Sequence, residues 1–197
     1  YQMDDAEYAI IGIGSMIETT TTVVDQLRAK GEKVGCVHIT CFRPFPGAEI
    51  VEMISGCKAV AILERMDDPL SQSNPLTMEI KSSIADAIQG AEGYPKIDSM
   101  PIMHSGSYGL GSRDVTSGDL AAVFEKLTNS NSPEYFSLGI EHETALNPID
   151  GLDGRPDGAF SMRGHSVGGF GSVTTNKIIA SVSEDLFGKT VQAYPKY

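Results

Sequence analysis

Short apolar runs alternate with amphipathic stretches over residues 1–130. Three of the runs, at residues 9–13, 34–41 and 59–64, are mostly apolar and do not alternate with polar positions. Half-exposed strands show that alternation, whereas strands buried on both faces of a parallel sheet do not. A fourth, shorter run follows at residues 102–105. The pattern therefore predicts four buried strands.

The stretches between these runs predict helices at residues 16–30, 47–54, 76–88 and 116–127. Apolar side chains recur every four residues in the third stretch, which places them along one helix face. Thr116 and Asp119 have the spacing of a capping box at the start of the fourth helix. Alternating strands and helices imply βαβ units with right-handed crossovers. We predict an α/β fold with a mainly parallel sheet and helices on both faces.

A second strand–loop–helix pattern begins after an acidic stretch. Residues 135–140 predict an isolated strand, and residues 141–158 are rich in Asp, Gly and Pro without periodicity, which is typical of a linker. Residues 159–162 then predict a short strand, and Ser172 is expected to cap a helix that runs towards Leu186. We expect the first strand–loop–helix of a second α/β domain here.

The loop before that last helix holds four glycines, Gly164, Gly168, Gly169 and Gly171. A strand, a glycine loop and a helix in this order direct unpaired N–H groups and the positive helix end towards one point, which suits a phosphate or another anion. The spacing is that of neither a dinucleotide fingerprint nor a P-loop. A tight turn that binds no ligand is the alternative interpretation.

The formal net charge is −11, from 15 basic and 26 acidic residues. This charge disfavours sequence-independent binding to nucleic acid or to anionic lipid. No apolar run approaches the roughly 18 residues of a membrane span, and the start carries no secretory signal. We therefore predict a cytoplasmic protein without nucleic acid or membrane partners. The first residue is Tyr1 and the end is extended, so we expect a piece of a longer polypeptide.

Candidate metal ligands are few. Cys36, Cys41 and Cys57 are an odd number without Cys-x-x-Cys spacing, which favours buried thiols over a disulfide framework, a zinc site or an iron–sulfur site. Asp67 and Asp68 follow the third strand, with neither a histidine nor a third carboxylate beside them. A solvated turn is favoured there, and we predict no metal site.

Three motifs follow one another before the glycine loop. They are Glu32-Lys-Val-Gly with Phe42-Arg-Pro-Phe-Pro, then Cys57-Lys-Ala-Val-Ala-Ile-Leu-Glu-Arg, then Tyr108-Gly-Leu-Gly-Ser-Arg-Asp-Val-Thr. With the glycine loop after them, this order resembles the 2-oxoacid:ferredoxin oxidoreductases, most of all the fused pyruvate:ferredoxin (flavodoxin) oxidoreductases.

The resemblance implies three parts. Residues 1–130 look like the family's transketolase C-terminal-like domain, residues 131–158 are a strand and an acidic linker, and residues 159–197 look like the incomplete start of a gamma-type domain. The markers of the gamma-type part are Gly164 to Lys177 and Val191-Gln-Ala-Tyr. Phe170 stands where that family typically has glutamine.

The resemblance also implies an activity, the oxidative decarboxylation of a 2-oxoacid, with pyruvate expected, to acyl-CoA and CO₂. The whole enzyme would use thiamine diphosphate, Mg²⁺, iron–sulfur clusters and coenzyme A. It would pass electrons to ferredoxin or flavodoxin and form a homodimer with its remaining domains or subunits. The family places the thiamine site in flanking domains, so we expect no catalytic residue here, no cofactor held by this portion alone and no activity of the portion alone.

For this portion the resemblance implies a role in assembly and a site for a coenzyme A phosphate. The residues expected at that site are Arg163, Gly164, His165, Ser166, Gly168, Gly169, Gly171 and Ser172. Arginine suits the role because its planar fork binds phosphate oxygens in pairs, although a surface ion pair is the alternative for Arg163. The alternative function is a non-enzymatic docking or regulatory module of transketolase-like fold.

Overall fold

The computed structural model describes residues 1–152, 154–155, 158–162, 164, 167, 169 and 171–193. The chain divides into two compact units, Tyr1–Gly154 and Arg155–Tyr197. Among the described residues, no helix combines the length and the apolar content needed to cross a membrane.

One parallel sheet organises the first unit. Its five strands are β1 (Tyr8–Ile13), β2 (Val34–Ile39), β3 (Ala59–Glu64), β4 (Ile102–Ser107) and β5 (Tyr135–Ser137). Their order is β2-β1-β3-β4-β5, and every neighbouring pair is parallel. This is the order of flavodoxin-like doubly wound folds. The predicted parallel α/β fold is confirmed.

Four helices cover the two faces of this sheet. They are α1 (Met16–Arg28), α2 (Gly47–Ile54), α3 (Pro75–Gln89) and α4 (Ser117–Asn129). One hydrophobic cluster holds the buried side chains of α1 and α4, and a second cluster holds those of α2 and α3. Helices therefore lie on both faces of the sheet, as predicted.

The strands supply side chains to both clusters, which explains their unbroken apolar pattern. On β1, Ile10 belongs to the α1–α4 cluster and Ile11 to the α2–α3 cluster. On β3, Ala61 and Leu63 face α1 and α4, while Ile62 faces α2 and α3. Successive side chains of a strand point to opposite faces, so a strand covered on both sides needs apolar residues at every position.

The strand predicted to be isolated belongs to this sheet. β5 pairs with β4, and Phe136 is buried in the α1–α4 cluster. A Cβ at Gly106 would lie 2.5 Å from both the Phe136 ring and the Leu63 side chain. Glycine at position 106 therefore leaves room for the Phe136 ring. Because this contact joins residues far apart in the sequence, the local pattern did not predict the pairing of β5 with β4.

Part of the predicted linker also packs on the first unit. The amide of Leu146 donates to the carbonyl of Ser137 at 3.0 Å, and the amide of Ile149 donates to that of Gly118 at 3.0 Å. Leu146, Ile149 and Leu152 pack against the α1–α4 cluster. We call residues 144–154 the return segment. Its apolar residues, spaced three apart, fold it back against α4.

Both outer strands have backbone partners beyond the sheet. On β2, Cys36 exchanges two backbone hydrogen bonds with Tyr1, at 2.8 and 3.0 Å. The Nε of Arg28 donates to the carbonyl of Val34 at 2.7 Å. On β5, Ser137 forms a parallel bridge with Ala145 of the return segment. Both edges of the sheet are thus partly covered.

Glu64, a carboxylate at the end of β3, holds the start of α3. It is buried and accepts hydrogen bonds from the amides of Leu76 and Thr77 at 2.7 and 3.1 Å, and from the Thr77 hydroxyl at 3.1 Å. The N-cap residue Asn74 makes no side-chain cap of its own. Glu64 therefore acts as the cap of α3 from a neighbouring strand, and its charge suits the positive helix end.

α4 begins with the capping box predicted from sequence. The amide of Asp119 donates to the Thr116 hydroxyl at 3.2 Å, and the amide of Thr116 donates to the Asp119 carboxylate at 2.8 Å. The boundaries of α1 differ slightly from the prediction, since the helix ends at Arg28. Gly31 follows with a φ of 90°, a left-handed conformation that stops the helix.

The second unit contains α5 (Ser172–Phe187), close to its predicted position. Residues 159–162, predicted as a strand, are irregular. A strand needs a neighbour to pair with, and the described residues of this unit include no other strand. After α5, the Nζ of Lys189 donates to the carbonyl of Gly158 at 2.5 Å, so the ends of the described unit lie close together.

We expect Glu64→Gln to lower the free energy of unfolding of the first unit by about 2 kcal/mol, because a carboxamide replaces a buried carboxylate that accepts from two helix amides. Urea unfolding followed by circular dichroism measures the change. Glu52→Gln on the exposed side of α2 is the control and should change stability by less than about 0.5 kcal/mol. Equal stabilities of Glu64→Gln and Glu52→Gln would contradict the capping role.

Gly118→Ala should destabilise the first unit, although alanine is normally favoured over glycine in helices by about 1 kcal/mol. A Cβ at Gly118 would lie 2.5 Å from the carbonyl oxygen of Ile149, so the return segment must move. We expect a loss of about 1–2 kcal/mol in urea unfolding. Gly56→Ala, where a Cβ would meet nothing within 4 Å, is the matched control. Greater stability of Gly118→Ala would show that the return segment does not pack closely there.

Candidate functional site

The predicted anion loop leads directly into α5. Gly171 is the N-cap in a left-handed conformation with a φ of 79°, and Gly169 has a φ of 90°. Ser172 is therefore the first helical residue, and the expectation that it caps the helix is wrong. The chain enters α5 through left-handed backbone, which glycine adopts without the steric cost of a Cβ.

The start of α5 has the features of an anion site. Since Gly171 has no side chain, the helix begins without a side-chain cap, and its first turn carries no acidic residue. The first amides of an α-helix have no partner within the helix and carry partial positive charge. Hydrogen-bond acceptors with negative charge, such as phosphate oxygens, are favoured at this point.

Gly164 lies against the second turn of α5. A Cβ there would lie 2.9 Å from Nδ2 and 3.0 Å from Oδ1 of Asn176. The Asn176 side-chain amide thus lies close to the backbone of Gly164. Sequence analysis did not include Asn176 in the site. Its position four residues after Ser172, on the same helix face, was the available signal.

The structure describes half of the predicted site residues. Gly171 and Ser172 lie at the start of α5, Gly169 comes two residues before Gly171, and Gly164 lies against the second turn of the helix. The other half lies outside the described residues, namely Arg163, His165, Ser166 and Gly168. The described part of the candidate site consists of glycine backbone, the N-terminus of α5 and the side-chain amide of Asn176. The predicted cation of the site comes from the sequence alone.

In the first unit, ligands would be expected at the carboxyl ends of β1 and β3, where the strand order reverses. The Tyr108 ring is buried there, and its hydroxyl lies 3.5 Å from the carbonyl of Ile13 on β1. Burial raises the pKa of Tyr108, so the phenol stays protonated. A protein side chain thus occupies this end of the sheet.

A polar cluster joins the loop after β3 and the carboxyl end of β4 to the first residue of β5. The hydroxyl of Tyr135 donates to Asp67 at 2.5 Å and lies 2.6 Å from the Ser107 hydroxyl. The buried amide of Asn74 donates to Ser107 at 2.9 Å. Burial, followed by the hydrogen bond to Asp67, raises the pKa of Tyr135. The side chains of this cluster attach the loop after β3 to β4 and β5. The sequence patterns did not predict this role.

Asp67 and Asp68 fit no metal site. Asp67 accepts from Tyr135, and Asp68 accepts from the Ser71 hydroxyl at 2.7 Å. Over the described residues, no group of three or more His, Cys, Asp or Glu side chains is arranged to hold a metal ion. Asp67 does more than line a solvated turn, because it connects two segments of the sheet edge.

The three thiols are separated, and one of them differs from the prediction. Cys36 and Cys57 are buried, but Cys41 is exposed, because it lies beyond the end of β2. Burial raises the pKa of Cys36, and it raises the pKa of Cys57 to about 11. Metals and clusters bind the thiolate form, so these two buried thiols are poor ligands.

The chain is similar to proteins of known family. Residues 6–103 match the family described as pyruvate:ferredoxin oxidoreductase core domain II. The pyruvate-flavodoxin oxidoreductase of Klebsiella pneumoniae is 33% identical over 98% of this chain and 16% of its own length. The pyruvate:ferredoxin oxidoreductase of Moorella thermoacetica is 28% identical over 98% of this chain, and the chain again spans 16% of that protein.

Two further proteins are similar to parts of the chain. The pyruvate synthase subunit PorA of Thermotoga maritima is 34% identical over 66% of this chain and 31% of the subunit. Among solved structures, a 2-oxoglutarate:ferredoxin oxidoreductase from Magnetococcus marinus, with 2-oxoglutarate, coenzyme A and succinyl-CoA bound, has a TM-score of 0.38 and 21% identity. That match covers 62% of this chain and 18% of the other.

The domain match and the two long alignments agree with each other. Core domain II falls on β1 to the start of β4, and the identity continues through the glycine loop of the second unit. The chain spans only a small share of its relatives' length. The chain belongs to the 2-oxoacid:ferredoxin oxidoreductase family.

Proposed function

We propose that this chain is a portion of an enzyme that oxidatively decarboxylates a 2-oxoacid, with pyruvate the best candidate, to acyl-CoA and CO₂. The electrons pass to ferredoxin or flavodoxin. The observation that carries this proposal is the 33% identity to a pyruvate-flavodoxin oxidoreductase along 98% of the chain. Its relatives' names supply both the oxoacid and the acceptor.

Most of the cofactors belong to other parts of the enzyme. Among the described residues, no side-chain group suits an Mg²⁺ ion with thiamine diphosphate, and the buried thiols do not suit an iron–sulfur cluster. We assign the first unit a role in assembly within a homodimer. Its two hydrophobic clusters, one on each face of the sheet, support a scaffold role of this kind.

Coenzyme A is the exception, because the start of α5 fits one of its phosphates. Left-handed Gly169 and Gly171 present backbone without side chains, and the helix end favours negative charge. A helix end contributes about 0.3–1 kcal/mol when exposed and up to about 2 kcal/mol when partly buried. Additional binding energy must come from a cation, and we assign this role to Arg163, which directly precedes Gly164 of the glycine loop.

The apolar side of α5 supports a larger second domain. Ile178, Ile179, Val182 and Leu186 lie on one side of the helix and are exposed, and none of the helix residues is buried. An amphipathic helix is stable when its apolar side is covered. We assign that cover to the rest of a gamma-type domain, supplied by the intact polypeptide.

In the intact enzyme, Arg163→Ala should raise the KM for coenzyme A by about tenfold or more, since a lost hydrogen bond to a charged group costs about 1.5–3 kcal/mol. Decarboxylation before acyl capture should proceed at the normal rate. Gly169→Val should raise the KM further, because valine strains a φ of 90° and its side chain blocks the backbone.

The measurements are steady-state kinetics against coenzyme A and single-turnover cluster reduction without it. Lys30→Ala removes an exposed cation beyond the end of α1 and is the matched control, with an unchanged KM. If Arg163→Ala and Gly169→Val both keep the wild-type KM, the glycine loop is a turn only.

The purified chain should neither decarboxylate pyruvate nor absorb visible light as iron–sulfur proteins do. Its three cysteines are separated, and the two buried ones resist ionisation. Metal and acid-labile sulfide assays, together with a visible spectrum after anaerobic reconstitution, make the measurement. Stoichiometric iron and sulfide in the chain would overturn the division of cofactors given above.

A further inference from the structure

His104 lies in the middle of β4 and is fully buried, with 0% of its surface exposed. It is opposite Ala61 in the β3–β4 register, and Ala61 belongs to the α1–α4 cluster. Residues paired across a parallel ladder point to the same face. The imidazole therefore lies beneath the helices of that face.

Both nitrogens of this imidazole lack a hydrogen-bond partner. Most buried polar side chains are hydrogen-bonded, and a neutral imidazole carries one donor and one acceptor. Other polar side chains of β4 follow the rule, since Ser105 bonds to Thr77 and Ser107 to Asn74. His104 is the exception on this strand, and nothing in the proposed reaction uses it.

Two charged side chains act on His104, Lys126 from α4 and Glu134 from the residue before β5. They form an ion pair with each other, and the Lys126 side chain is only 16% exposed. Ser105 pairs with Tyr135, so Glu134 comes one position earlier, beside His104. The side chains of α1 and α4 in the cluster are uncharged, and the buried carboxylate of Asp119 bonds to Thr116 at the other end of α4.

These surroundings keep the imidazole neutral. Burial lowers the pKa of His104, the Lys126 cation lowers it further, and the Glu134 carboxylate opposes them. The Glu134 carboxylate already has two partners, because it forms an ion pair with Lys126 and accepts a hydrogen bond from the Ser130 hydroxyl at 2.7 Å. A proton on His104 would place a second cation near the Lys126 ammonium, with one shared carboxylate.

The element best able to relieve that charge is β5. It is a three-residue strand at the edge of the sheet. The amide of Ser105 donates to the carbonyl of Glu134 at 3.1 Å, and the amide of Leu138 donates to that of Ser107 at 2.9 Å. Short edge strands open at a lower free energy than central strands. Separation of β5 would admit water to the ring nitrogens.

We propose that His104 is an acid-operated latch of β5, whose protonation separates β5 from β4 and gives the charged ring access to water. The proton comes from solvent, and no bond other than its N–H forms. Tyr135 is part of β5, so the same opening releases its hydrogen bond to Asp67 and loosens the polar cluster at the carboxyl edge. The latch is independent of the proposed enzymatic activity.

The sign of the effect follows from proton linkage. In the closed state the His104 pKa is lowered, whereas in the open state it is close to the usual value of about 6.5. Protons therefore bind preferentially to the open state, and closure weakens as the pH falls below about 6.5. From about pH 7.5 to about pH 5.5 the opening constant should rise about tenfold.

Amide hydrogen exchange of the full chain by NMR, corrected for intrinsic rates, measures this opening. The amides of Ser105 and Leu138 report on β5, and those of β1 and β3 report on the rest of the sheet. We expect the protection of the two reporters to fall about tenfold over that pH range, with β1 and β3 unchanged. Constant reporter protection, or an equal fall in β1 and β3, would overturn the latch.

Substitutions test whether His104 causes the loss of hydrogen-exchange protection at low pH. His104→Leu should abolish the fall, whereas His38→Leu on exposed β2 surface and His142→Gln near β5 should keep it. If His104→Leu does not fold, Lys126→Met decides, because removing the neighbouring cation raises the closed-state pKa of His104 and should make the fall smaller than in the wild type. A fall of unchanged size in Lys126→Met, or a fall that persists in His104→Leu, rejects the proposal.

Discussion

The buried carboxylate of Glu64 holds the carboxyl edge of the sheet together. It receives the start of α3, which has no side-chain cap of its own, and Thr77 extends the contact to Ser105 of β4. Asn74, freed from capping, bonds instead to the loop after β3 and to Ser107. One strand-end residue thereby fixes a helix, a loop and the neighbouring strand, and its charge is satisfied within the fold.

The polar groups at this edge of the first unit are paired with one another, and the second unit differs in this respect. At the edge of the sheet where flavodoxin-like folds bind ligands, the polar groups of the first unit form hydrogen bonds with other side chains of the protein. In the described part of the second unit, α5 begins without a side-chain cap from its N-cap residue and exposes apolar side chains along one side. This contrast is the basis of the proposed roles, with the first unit as a scaffold and the second in binding.

The sequence predicted what local patterns determine. Apolar runs without alternation identified β1 to β4, and Thr116 with Asp119 identified the start of α4. It failed where distant residues decide, because a three-residue strand has no periodicity and β5 depends on space left by Gly106. At the candidate site the helix was predicted, but its cap was not, since backbone handedness at Gly171 outweighed the capping preference of Ser172.

The partial cover on both sheet edges has a consequence for solubility and assembly. Tyr1 and Arg28 bond to the backbone of β2, and the return segment bonds to β5, so neither outer strand offers a long row of unpaired groups. Exposed rows of that kind recruit other chains by strand addition and lead to aggregation. The partial cover therefore disfavours widening of the five-stranded sheet by addition of a strand from another chain.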